Sequence, residues 1–181
     1  MMKKGLVVAL AAGCLALGVG IGVFARSKAD SYPGLSVMSG KPAKEAGMAA
    51  LQEAEVLAGN QGSWEQLGVA RVYYLSGDKA KGQSIIDRVA AGKVQTSDWQ
   101  RIGQIYADAG ENAKAEDYFQ RALASDPKDD TGRAEIGAWY IRNGQRAKGE
   151  ELFAQAFAKH PDELWHYLRA AEAFLGVPPQ K

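Results

Sequence analysis

Two histidines, His160 and His166, are the first places to look for acid–base or metal chemistry. They stand six residues apart across Pro161, which breaks a helix, so they cannot form the i,i+4 pair of a helical zinc site. His160 reads as an exposed loop residue and His166 as a surface or rim residue. The acid pairs Asp129-Asp130 and Glu150-Glu151 fall at or near expected helix starts. Carboxylates are favoured there by the helix dipole, so they read as caps rather than as a general acid and base. The chain has no HExxH, no GxSxG, no GxxxxGK[ST] and no GxGxxG opening a helix,. Its single cysteine, Cys14, can build neither an intrachain disulfide nor a cysteine metal site,. These residues imply no catalytic residue, no metal and no cofactor, and the chain is expected not to be an enzyme.

The charges are interspersed. The formal net charge is +1, and residues 1–25 hold Lys3 and Lys4 and no acid. Without that segment, 20 Lys plus Arg face 21 Asp plus Glu, or −1. A nearly neutral body gives no electrostatic footprint for nucleic acid, so no nucleic-acid partner is expected. Hydrophobic residues make up 46% of the chain, enough for a core in one domain of this length,.

Residues 5–25 are an uncharged apolar run, bounded by Lys3-Lys4 and by Arg26-Ser27-Lys28. The run is long enough for a spanning helix. Val23-Phe24-Ala25 also offers a cleavage site, and Ala11-Ala12-Gly13-Cys14 is similar to a lipobox in which Cys14 carries the lipid. Retained anchor, cleaved signal and lipoprotein are three readings of one segment. Lys3 and Lys4 balance Arg26 and Lys28, and the short charged N-terminus favours a body outside the cytoplasm, in a bacterial periplasm, with a secreted protein or a lipoprotein as the alternatives,. Gly18 and Gly22 have the spacing that lets spanning helices pack closely, although the segment is rich in small residues throughout. Residues 26–42 mix Ser, Gly, Pro and charge without a helical period and read as a linker.

The elements beyond the linker announce themselves by repetition. At a shift of 34 residues Gly103 falls on Gly137, Tyr106 on Tyr140, Gly110 on Gly144, Phe119 on Phe153, Ala122 on Ala156 and Pro127 on Pro161. Each pair has a structural task. The small residues Gly103, Gly137, Ala115 and Gly149 let paired helices approach. The aromatics fill space between hairpins. Gly110 and Gly144 suit a left-handed helix end. Asp126-Pro127 and His160-Pro161 stop a helix. This pattern resembles the tetratricopeptide-repeat (TPR) family. Segment 96–129 carries it nearly completely, 130–163 carries it with Arg133 in place of the first aromatic, and 63–95 carries a shorter, degenerate copy,.

The resemblance implies an all-α TPR α-solenoid of three helix hairpins with N- and C-terminal capping helices. Helices are expected at 43–58, 63–75, 79–91, 97–109, 112–124, 130–143, 146–158 and 162–175, forming one domain over 43–176 with a tail at 177–181. Asp162 is expected to cap the last helix, and Leu164, Trp165, Leu168 and Phe174 to cover the open end of the stack.

The resemblance also implies a concave groove lined by the first helix of each hairpin. Its expected residues are Trp64, Leu67, Arg71 and Tyr74; then Gln100, Arg101, Gln104 and Asp108; then Ala134, Glu135, Ala138, Ile141 and Arg142. Only one of Tyr73 and Tyr74 is expected to face the core. Trp64 and Tyr74 can anchor side chains of a peptide while Gln100 and Gln104 bond its backbone. The Asn and Lys of the carboxylate clamp found in some chaperone-binding TPR domains are missing. Anchor, linker and small repeat domain together resemble bacterial envelope assembly factors. The expected function is a membrane-associated adaptor for a protein or peptide partner. The alternatives are a homo-oligomeric structural component and a client-presenting accessory of an enzyme maturation system.

Overall fold

A computed structural model describes residues 33–179, and the expected membrane segment 5–25, Cys14 and the first part of the linker lie outside the described residues. Among the described residues no helix is long and apolar enough to cross a membrane. The chain divides into two compact units between Leu57 and Ala58.

In the first unit, one helical turn, α1 (Pro33–Ser36), falls inside the stretch expected to be a linker. The amides of Met38 and Ser39 close it by donating to the Leu35 carbonyl. Helix α2 (Ala43–Ala58) follows with the expected bounds.

The second unit holds seven helices: α3 (Ser63–Ser76), α4 (Lys79–Ala90), α5 (Thr96–Asp108), α6 (Asn112–Ser125), α7 (Asp130–Arg142), α8 (Arg146–Lys159) and α9 (Leu164–Leu175). They pack as antiparallel pairs, α3 with α4, α5 with α6 and α7 with α8, consistent with a TPR solenoid. Helix α9 lies on α7. Inner helices α3 and α5 pack together, and α6 packs on α7.

The repeated residues perform their tasks twice. After α5 the Glu111 amide donates to the Tyr106 carbonyl at 2.8 Å, and the Gly110 amide to Ala107 at 3.0 Å. After α7 Gln145 bonds Tyr140 at 2.9 Å and Gly144 bonds Ile141 at 3.0 Å. Both are Schellman closures, and Gly110 and Gly144 each hold φ +74, which a side chain disfavours,. Within the third hairpin a Cβ on Gly149 would stand 2.6 Å from the Gly137 carbonyl oxygen, so the helices meet backbone to backbone.

The tyrosines tie hairpins together. Tyr106 is buried edge-on against Tyr74 at 5.5 Å, and its hydroxyl donates to Gln83 on α4 at 2.8 Å. Tyr140 accepts from Gln120 at 2.7 Å and donates to Glu116 at 3.2 Å, both on α6. Burial raises the Tyr106 phenol to about 12,.

Several expectations are corrected here. Both Tyr73 and Tyr74 are buried, because Tyr74 turns toward the next hairpin and gives its hydroxyl to Glu111 at 2.9 Å. His166 is 2% exposed and meets Phe157 edge-on at 5.9 Å, so it is not a surface or rim residue. Helix α9 buries the His166–Ala173 face, with Ala170 and Ala173 against Ala134, Ala138, Phe153 and Ala156. That leaves Leu164 and Trp165 exposed at 61% and 53%, with Leu168 and Phe174 also open to solvent. Helix α9 starts two residues later than expected, so Glu163 and not Asp162 is its cap, accepting from the Trp165 amide at 3.2 Å.

Asp129 caps α7 as expected, through the Gly132 amide at 2.9 Å. Asp130 is instead buried beside Arg133, which fills the place of the missing aromatic. Arg133 pairs with Asp130 at 2.6 Å and donates to the Pro127 carbonyl at 2.7 Å. Burial alone would raise the Asp130 carboxyl. The Lys159 bond at 3.0 Å and the charges of Lys159, Arg133 and His160 hold it below the usual range.

Candidate binding groove

Helices α5 and α7 stand apart across most of their length, and the space between them forms a groove of about 770 Å³. Its floor is apolar. Phe119 from α6 crosses Trp139 of α7 at 5.0 Å, with Ile136 and Ala138 beside them. A volume of this size suits several side chains of a bound segment.

One wall is built by α3 and α5. The Arg101 guanidinium lies 3.5 Å above the ring of Trp64, a residue that stays exposed to solvent,. Burial lowers the Arg101 pKa, and the charge of Arg71 lowers it further, against Glu65 and Asp98. Arg71 itself pairs with Asp108 at 2.6 Å, and Asp108 also accepts from Gln104 at 2.7 Å. Gln100 donates to Asp129, the cap of α7, at 3.2 Å. Both amide side chains are therefore already held through Nε2.

The opposite wall comes from α7, α9 and the tail. Burial lowers the Arg142 pKa, and its Nη1 is enclosed with no hydrogen-bond partner. Glu135 is half exposed, but its carboxyl is pushed up by burial within the groove and by Asp129 and Glu172, against Arg169 at 3.8 Å. Pro178 and Pro179 close the rim.

Nine of the thirteen residues expected in the groove line it, eight of them Trp64, Arg71, Gln100, Arg101, Gln104, Asp108, Glu135 and Arg142. Ala138 joins them at the floor. The other four do not. Leu67 and Tyr74 are 0% and 3% exposed, because their side of α3 packs toward the neighbouring helices. Ile141 rests against the cluster around Phe153, and Ala134 is buried in that same cluster.

The structure adds Ser97, Ala107 and Asn143 to the walls, Phe119, Ile136 and Trp139 to the floor, and Arg169, Pro178 and Pro179 to the rim. Trp139 had a signal in sequence, since it neighbours the repeat tyrosine on an inner helix. Arg169 and the prolines lie beyond the last repeat, where no periodicity could place them. Among the described residues no group of three or more His, Cys, Asp or Glu stands close enough to hold a metal.

Compared with known families, residues 106–172 match the tetratricopeptide repeat. The match runs from the shared tyrosine of the second hairpin to the last turn of α9 and takes in Gly110, Gly144, Phe119, Phe153, Pro127 and Pro161, which recur at 34 residues. No curated protein and no solved structure matched. TPR repeats imply a protein-interaction scaffold, and such scaffolds are typically non-enzymatic. In this helical array the groove residues display guanidinium, amide and aromatic groups, which suit recognition of another chain.

Proposed function

We propose that the chain is a membrane-associated TPR adaptor whose groove holds a segment of a protein partner during assembly of a complex in the bacterial envelope. The observation that carries the reading is the 770 Å³ groove, with an apolar floor between polar walls, in a repeat scaffold. Helices that are already packed lower the entropy cost of ordering a partner segment. The apolar run 5–25 supports attachment to a membrane, which would raise the local concentration of partners there,.

The test is crosslinking in the native membrane followed by mass spectrometry. Wild type is compared with an Arg71→Glu/Gln104→Ala/Arg142→Ala variant whose circular dichroism is unchanged. Envelope proteins that crosslink to wild type and vanish with the variant support the adaptor. The same partners on both proteins would remove the groove from the reading.

A second reading, self-association, is favoured by the apolar residues that α9 leaves in solvent, Leu164, Trp165 and Leu175 among them,. Light scattering separates the two. A dimer that Trp165→Glu converts to monomer supports self-association, whereas a monomer at every concentration excludes it.

A further inference from the structure

The groove's charges do not balance. Four arginines, Arg71, Arg101, Arg142 and Arg169, face two acids, Asp108 and Glu135. Arg71 is neutralised by Asp108 at 2.6 Å, and Arg169 by Glu172 at 2.8 Å. Among the described residues no carboxylate stands within ion-pair distance of Arg101 or Arg142. One guanidinium lies on the α5 wall and the other on the α7 wall, with the apolar floor of Phe119, Ile136 and Trp139 between them.

Resting on the groove as the partner site, we propose that it receives an extended protein segment bearing acidic side chains, whose carboxylates pair with Arg101 and Arg142. Both guanidiniums are desolvated, and the nearby acids, Glu65 and Asp98 for the first and Glu172 for the second, act on them from beyond ion-pair distance, against the like charges of Arg71 and Arg169. Bringing a carboxylate to each supplies the direct ion pair that both lack and the polar contact that the enclosed Arg142 Nη1 is missing,. Arg101 is already oriented by its stack on Trp64, so little is lost in fixing it,.

The positive field is local, because residues 26–181 sum to −1. A basic stripe that could follow a nucleic-acid backbone is therefore missing from the sequence, and the apolar floor calls for a side chain between the acids. The occupant is a peptide segment with an aromatic or aliphatic residue flanked by Asp or Glu.

The test uses fluorescence anisotropy with the full chain and three labelled decapeptides, N-acetylated and C-amidated so that only side chains carry charge. Each contains one Phe, flanked by Glu, by Gln or by Lys. The Glu peptide is expected to bind about tenfold more tightly than the Gln peptide at low salt, with the gap closing at high salt. Arg101→Gln and Arg142→Gln should each cut Glu-peptide affinity about fivefold and leave the Gln peptide within about twofold. Arg142→Lys should retain part of the preference, which separates charge pairing from loss of fold.

Equal binding of the Glu and Gln peptides would overturn the acidic preference while leaving the groove reading intact. A preference that survives in the Arg101→Gln/Arg142→Gln double variant would overturn the assignment to these two arginines. A single-stranded oligonucleotide bound more tightly than the Glu peptide would overturn the peptide class. Failure of all three peptides at millimolar concentration overturns the proposal too, and the crosslinking comparison then decides by itself whether the groove binds a partner.

Discussion

Glu111 shows how much a single side chain can connect. It accepts from Tyr74 at 2.9 Å and pairs with Lys79 at 2.7 Å and Lys114 at 2.8 Å, so one carboxylate on α5's exit binds the first hairpin to the second. The Lys114 bond first, then Lys79, holds its carboxyl at about 2 against the ordinary 4.5. A carboxyl depressed by folding stabilises the fold above its unfolded value. That contribution disappears as pH falls from about 4.5 to about 2,. Wild type should therefore lose melting temperature across this window. Glu111→Gln should melt lower at neutral pH and show a shallower acid slope, and an unchanged slope would separate Glu111 from acid stability. Tyr106 is the other residue on which hairpins depend. It is 1% exposed and makes the Gln83 bond, so Tyr106→Ala should cost roughly 3–5 kcal/mol in urea denaturation,. A loss below about 1 kcal/mol would remove it from the core.

Helix pairs are held at their spacing by what is missing from them. A Cβ on Gly149 would meet Ile141 and lie 2.6 Å from the Gly137 carbonyl, which belongs to the backbone and cannot step aside. Alanine normally gains about 1 kcal/mol over glycine inside a helix. At Gly149 the overpacking, roughly 1–3 kcal/mol, should exceed that gain and destabilise the chain. Gly47 on α2 is the control, since nothing lies within 4 Å of its added Cβ. Gly47→Ala should leave stability equal or higher in the same denaturation experiment, and equal effects at the two sites would contradict the packing argument. Element bounds were legible for a related reason. Gly110, Gly144, Pro127 and Pro161 act through their own backbones, so their meaning travels with the sequence,. Caps depend on where the neighbouring turn closes, and Glu163 rather than Asp162 shows that dependence.

At the scale of the molecule, a repeat array joins a short groove to an apolar N-terminal run. Removing residues 1–25 should shift the protein from the membrane pellet to the soluble fraction of fractionated cells while leaving the thermal unfolding transition of its body unchanged. A truncated chain that still pellets would assign membrane attachment to the body, where α9 exposes Leu164, Trp165 and Leu175. The sequence by itself determined the all-α class, the hairpin register and most of the inner-helix face, because glycine, proline and aromatic positions recur at 34 residues. Nine groove residues were readable from that register. Tertiary structure decided the rest. Position 67 looks equivalent to position 100, yet Leu67 is sealed in the core while Gln100 lines the groove, since α3 packs on α5 and α5 stands away from α7. Arg169, Pro178 and Pro179 reach the rim only because α9 folds back onto α7, and Arg142 is left without a carboxylate for the same spatial reason. Periodicity encodes which face a residue takes on its own helix. The gap between two helices depends on side-chain volumes brought together from distant segments, and it has no period to read.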